Sequence, residues 1–192
     1  MKIRLIFYIL LSTAIAKYVA AQELPSHVSH HFTSINQAGL LTGSAGQAAN
    51  IQTINGLTWS KWFAGVGTGI DYYGTRSIPL FVDLRRNFNT KAKGVFVYAD
   101  GGINFPWISD GQKLSRPYTG TSSKGVYLDA GAGLRFKIKN SSALLLSAGY
   151  SHKQVNNKTD LMTIMIWPTP EKTYEYYKYE YRRIVMKLGL EF

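Results

Sequence analysis

With 192 residues, no cysteine, and 22 basic against 11 acidic side chains, the chain is long enough for one domain and hardly for two, and disulfides do not hold it together. The missing cysteine also excludes a lipoprotein's lipid-attachment nucleophile. Beyond the first segment, no apolar stretch approaches the eighteen residues of a transmembrane helix. The positive charge is scattered rather than gathered into a stripe, so the expected partner is anionic lipid or lipopolysaccharide phosphate and not nucleic acid.

Met1-Lys2-Ile3-Arg4 is a short basic segment, and Leu5 to Ala16 is an apolar run broken only by Ser12 and Thr13. Lys17 stops that run, and Val19-Ala20-Ala21 supplies small residues for a signal peptidase. This pattern predicts a cleaved signal peptide over 1–21 and a mature domain over 22–192. An exported domain with no apolar helix is soluble, surface-attached or a barrel.

Period-two alternation then dominates. Residues 33–42 and 51–59 have strand length and β-forming composition, but neither separates its faces cleanly. From Ala64 to Tyr72, the set Ala64, Val66, Thr68, Ile70 and Tyr72 opposes Gly65, Gly67, Gly69 and Asp71. From Ile78 to Leu84, the apolar set Ile78, Leu80, Val82 and Leu84 opposes Asp83 and then Arg85. Val95 to Phe105, Val126 to Ile138, Leu144 to Tyr150 and Ile184 to Phe192 repeat the pattern. The total is eight strands, the even number that a closed bacterial barrel requires.

A lipocalin-like barrel alternates too, with its apolar face inside. Three features favour the membrane version, with the apolar face outward. The polar face carries glycine as well as charge, as suits a lumen only wide enough to be packed by side chains. Aromatics gather near strand ends in two predicted girdles: Trp59, Trp62, Phe88, Phe136 and Phe192 at one rim, and Tyr72, Tyr73, Phe105, Trp107, Tyr150 and Tyr179 at the other. The connections also differ in length. On the side of the termini they are short: 60–61, 89–93 and 139–142. On the other side lie 43–50, 74–77, 106–124 and 153–178, two of them long, as expected for external loops. Residues 109–124 read as a mobile loop, and the tyrosines between Tyr174 and Tyr181 as a strand extension above the membrane or a sticky patch.

With this signal peptide, eight strands and the ending Leu190-Glu191-Phe192, the mature chain resembles the small outer-membrane β-barrel families typified by the OmpA transmembrane domain and OmpX. The resemblance implies an antiparallel up-and-down barrel. It also implies that Phe192 is an assembly signal read by the barrel-insertion machinery. Leu190 stands where the family often has a second aromatic. An extracellular ligand is not named by these motifs, because fold does not fix function.

Chemistry is sparse. His27, His30 and His31 lie early in the mature chain with only Glu23 as an acidic neighbour, which fits a surface cluster better than a metal site. Ser151-His152 is similar to the serine and histidine of lipid-A deacylase barrels, but the pair is adjacent, so its side chains point to opposite faces. The main constellation is the inward charge: Asp71, Asp83, Arg85, Asp100, Asp129, Arg135, Arg183, Lys187 and Glu191. Buried charges must be paired. An ion-pair network plugging the lumen is therefore favoured over a proton or ion path, and a non-enzymatic structural or binding protein over a lipid-modifying enzyme or a small pore. No cofactor is expected.

Overall fold

The computed structural model describes residues 30–88, 93–107, 120–139, 142–161 and 173–192. They form β1 (His30–Gly43), β2 (Gly46–Trp59), β3 (Trp62–Asp71), β4 (Ser77–Asn87), β5 (Lys93–Pro106), β6 (Gly120–Ser123), β7 (Gly125–Lys139), β8 (Ser142–Leu161) and β9 (Thr173–Glu191). All pairings are antiparallel. Eight strands close a barrel in the order β1-β2-β3-β4-β5-β7-β8-β9, with β9 paired to both β8 and β1. The short β6 lies outside this ring and pairs only with the far part of β8. The seam between first and last strands is tied by Phe192 N–H donating to the Ser34 carbonyl (2.9 Å) and Ser34 N–H to the Phe192 carbonyl (3.0 Å).

The alternation sorts the faces as a membrane barrel requires. Ile184, Met186, Leu188 and Leu190 on β9 are exposed, as are Val126, Leu128 and Leu134 on β7 and Leu80, Val82 and Leu84 on β4, whereas the intervening positions are buried or, at Gly131 and Gly133, half-buried. Burial on the inside of a ring removes those residues from lipid and water alike. A lipocalin-like inversion is thereby excluded.

The structure departs from the sequence pattern at three loops. The 43–50 connection shrinks to a two-residue turn, because Gly43 pairs with Gly46 and Gly46 takes φ +94°. A left-handed conformation at this position suits glycine and closes a tight hairpin. The expected 153–178 loop is mostly strand: β8 and β9 stay paired out to Leu161 and Thr173. Residues 120–123, read as part of a mobile loop, form β6 against this extension. Both segments lack an apolar face because they leave the lipid belt, so alternation gave no sign of them. Residues 109–119 and the expected signal peptide over 1–21 lie outside the described residues.

Candidate functional site: the barrel lumen and outer sheet

The sequence-predicted charges all project inward, in three groups along the axis. At the mouth on the terminal side, Arg135 holds Glu191 (Nη2 to Oε1 2.6 Å), with both side chains partly exposed. In the middle, Arg85 donates through Nε and Nη2 to both oxygens of Asp83 at 2.7–3.0 Å. Toward the outer side, Asp71 pairs with Arg183, and Arg183 also donates to Ser151 Oγ at 2.6 Å.

The middle group is one connected chain of side chains. Arg85 reaches Gln37 Oε1 (3.3 Å), Gln37 donates to Gln52 (2.7 Å), and Gln52 donates to the Tyr127 hydroxyl (2.8 Å). Tyr127 and Tyr98 both donate to Asp129, at 3.2 and 3.0 Å. Lys187 Nζ closes the chain, 2.7 Å from Asp129 and 3.5 Å from Asp100. Asp83, Asp100 and Asp129 are register partners on three neighbouring strands, so three carboxylates stand side by side. Like charges in such positions repel. Arg85 and Lys187 are the cations that offset them.

Sequence reasoning missed a tenth member. Lys153 is fully buried, and its Nζ donates to Asp71 (3.1 Å), Ser77 Oγ (3.1 Å) and the carbonyls of Tyr73 (2.7 Å) and Thr75 (2.9 Å). Its strand position lay in what read as a loop. With Lys153 included, the network holds five carboxylates (Asp71, Asp83, Asp100, Asp129, Glu191) and five cations (Arg85, Arg135, Lys153, Arg183, Lys187). A balanced set of this kind is what burial demands.

The lumen also carries an apolar layer. Phe63, Phe81, Phe96, Tyr98 and Tyr127 pack with Ile35, Ile54 and Leu145 inside the ring. The inward glycines make this layer possible. A Cβ on Gly67 would lie 2.5 Å from the Phe81 ring, and one on Gly133 would lie 2.5 Å from Phe96. Gly67 and Gly102 are cross-strand partners of Phe81, and Gly133 is the partner of Phe96. Gly67 and Gly133 therefore each seat a ring from the neighbouring strand, whereas Gly102 lies against the Leu80–Phe81 backbone. Tyr73, expected in the outer girdle, is a correction: it is fully buried, packs on Leu41 and Val185, and accepts from Ala45 N–H at 2.8 Å. The remaining outer-girdle aromatics, Tyr72, Phe105, Trp107, Tyr150 and Tyr179, are exposed, as are Trp62, Phe88 and Phe192 at the other rim, while Trp59 and Phe136 are half-buried.

Ser151 and His152 do point apart: Ser151 is buried against Arg183, and His152 is on the outward face. The Ser77–Lys153 contact is no nucleophile–base pair either. Lys153 Nζ is ringed by four acceptors, the Asp71 carboxylate among them, and an ammonium sharing its three N–H groups among these has no lone pair with which to accept a proton. His30 and His31 are exposed, and His27 lies outside the described residues.

Outside the ring, β8, β9 and β6 continue as a small sheet. Tyr176, Tyr177 and Tyr179 are exposed on it, beside Lys178 and Arg182. Tyr177 donates to Glu175, and Lys178 pairs with Glu180 at 2.6 Å, holding the Glu180 carboxyl below the usual carboxylate range.

An outward apolar belt around a closed, polar and packed ring defines a transmembrane β-barrel. No protein-family profile and no curated protein matches the chain. Solved structures do. The outer-membrane protein OprG of Pseudomonas aeruginosa is 9% identical over 86% of this chain and 96% of its own, with a TM-score of 0.53. Neisserial surface protein A is 13% identical over 85% and 97%, with a TM-score of 0.49. The N-terminal barrel domain of P. aeruginosa OprF is 12% identical over 85% and 100%, with a TM-score of 0.47. By fold, the chain is an eight-stranded transmembrane β-barrel, the fold that it shares with OprG.

Proposed function

We propose that the protein is a non-enzymatic integral outer-membrane protein. In this reading the plugged barrel is an anchor, and the sheet of β6, β8 and β9 engages material outside the cell. The observation that carries this reading is the β8–β9 hairpin, which outruns the ring and presents tyrosines and cations together. Aromatic rings supply contact area at low entropic cost, and cations recognise phosphate. Outer-membrane lipid and lipopolysaccharide are the immediate partners, and the barrel-insertion machinery is the transient one. The balanced, interlocked lumen favours a plug over a path, since eight strands enclose a packed interior. The expected signal peptide over 1–21 fits the same route.

The test uses the protein in nanodiscs and measures binding of lipid A and of dephosphorylated lipid A. Tighter binding of the phosphorylated form, lost in a Lys178→Ala/Arg182→Ala variant, is the expected result. Equal binding of both forms by the unmodified protein would remove the phosphate reading. A changed lipid A mass spectrum in a deletion strain would replace the binding protein with an enzyme.

A further inference from the structure

The lipid-facing belt is not uniform. Over β4, β5, β7, β8 and β9 its exposed residues are aliphatic or aromatic, with alanine and glycine between them. Over β1 to β3 it is interrupted by Ser34, Asn36, Thr53, Asn55 and Thr68. These five are contiguous. Asn36 pairs with Thr53 and Thr53 with Thr68, while Ser34 pairs with Asn55. Asn36, Asn55 and Thr68 are exposed, and Ser34 and Thr53 are half-buried.

Apart from Ser34, whose backbone bonds Phe192 at the terminal rim, the patch lies deep in the belt. Asn36 is four residues from the exposed Phe32, Asn55 four from Trp59 at the terminal rim, and Thr68 four from Tyr72 at the outer rim. On tilted strands, four residues correspond to roughly 10 Å, about half of a belt some 25 Å tall. Acyl chains there offer no hydrogen bonds. A carboxamide has two donor hydrogens and two acceptor lone pairs, more than one neighbouring hydroxyl can satisfy. A polar group left unsatisfied in hydrocarbon is costly.

The surface is also concave there. A groove of about 680 Å³ with mainly apolar walls runs past Asn36, Thr53 and Thr68, between Ile51 and Leu188, and leaves Ser34 and Asn55 outside it. Small residues beside polar ones let a partner approach closely and exchange hydrogen bonds within the bilayer.

We propose that this face is an interface with a second copy of the same chain, joined by carboxamide and hydroxyl hydrogen bonds within the membrane. Amides and hydroxyls both donate and accept, so the patch is complementary to itself under a two-fold axis, as an isologous dimer requires. The inference rests on the membrane reading above, and heat-modifiable migration of the inserted barrel checks that reading separately.

The chain has no cysteine, so single cysteines report unambiguously. Thr53→Cys at the patch and Ala132→Cys on β7, across the barrel, are expressed in native outer membranes and oxidised. Thr53→Cys is expected to give a disulfide-linked species of twice the monomer mass, and Ala132→Cys none. Adding Asn36→Leu and Asn55→Leu, which makes the belt more apolar and leaves insertion intact, should abolish that species. Sedimentation of the cysteine-free protein in mild detergent should show a dimer that the same two substitutions convert to monomer. A monomer in both assays, equal linkage at both cysteines, or an adduct of Thr53→Cys with a different protein each overturns the proposal. If the protein fails to enter the membrane at all, the membrane reading itself falls.

Discussion

Lys153 Nζ and Asp71 Oδ1 meet at 3.1 Å inside the barrel although 82 residues separate them. Asp71 also pairs with Arg183, so one carboxylate on β3 holds two cations from β8 and β9. The pairings lock the outer end of the lumen across the ring. They also show why the charges were legible as a set but not as pairs: partners lie far apart in sequence and meet only once the barrel closes.

Asp71→Ala should therefore strand Lys153 and Arg183 together. Removing one member of a buried pair typically costs about 3–5 kcal/mol. Lys178→Ala breaks a solvent-exposed, water-screened pair with Glu180 and should leave the midpoint nearly unchanged. Urea unfolding in detergent, followed by the loss of heat-modifiable migration, measures both. Equal midpoints for the two variants would contradict the burial of the Asp71 group.

Arg135→Ala should fall between these limits. Its side chain and that of Glu191 remain 19% and 16% exposed at the mouth, so water screens the charge left behind. A loss as large as that of Asp71→Ala would mean that the mouth is drier than the structure shows.

The glycine seats give a different kind of prediction. Gly67→Val places a side chain against the Phe81 ring, and overpacking of this kind costs about 1–3 kcal/mol. Phe81→Leu, destabilising alone, should recover part of that loss when combined with Gly67→Val. The double-mutant cycle in unfolding free energy reads the coupling. Strict additivity would mean that the two residues do not compete for one space.

How much of this was visible beforehand depended on where each strand sits. The apolar faces of β4, β5, β7 and β9 stood out because lipid selects one sign of residue over the whole belt. β1 and β2 blurred because their inner faces carry Ile35, Leu41 and Ile54 while their outer faces carry Asn36, Thr53 and Asn55, so both faces are mixed. Lys153 escaped because β8 beyond Tyr150 stands clear of lipid and loses its apolar alternation. The aromatic lumen left a signal that alternation hides: Leu80-Phe81-Val82 and Val95-Phe96-Val97 are apolar on both faces, and each central ring faces glycine on a neighbouring strand.

Phe192 separates assembly from stability. Its side chain is 54% exposed at the rim, so it buries little, while its backbone makes both seam hydrogen bonds with Ser34. Phe192→Ala keeps the backbone bonds and removes only the ring. Truncating a half-exposed side chain away from a packed core usually changes stability little, within about 0.5 kcal/mol. The purified variant should thus refold into detergent with a nearly unchanged midpoint. In cells, its abundance in the outer membrane should fall and periplasmic degradation should rise, which is the outcome that a role for Phe192 as an insertion signal requires. Normal abundance of Phe192→Ala in the membrane would remove that role. A large drop in the refolding midpoint would instead assign the ring to stability, through packing at the seam.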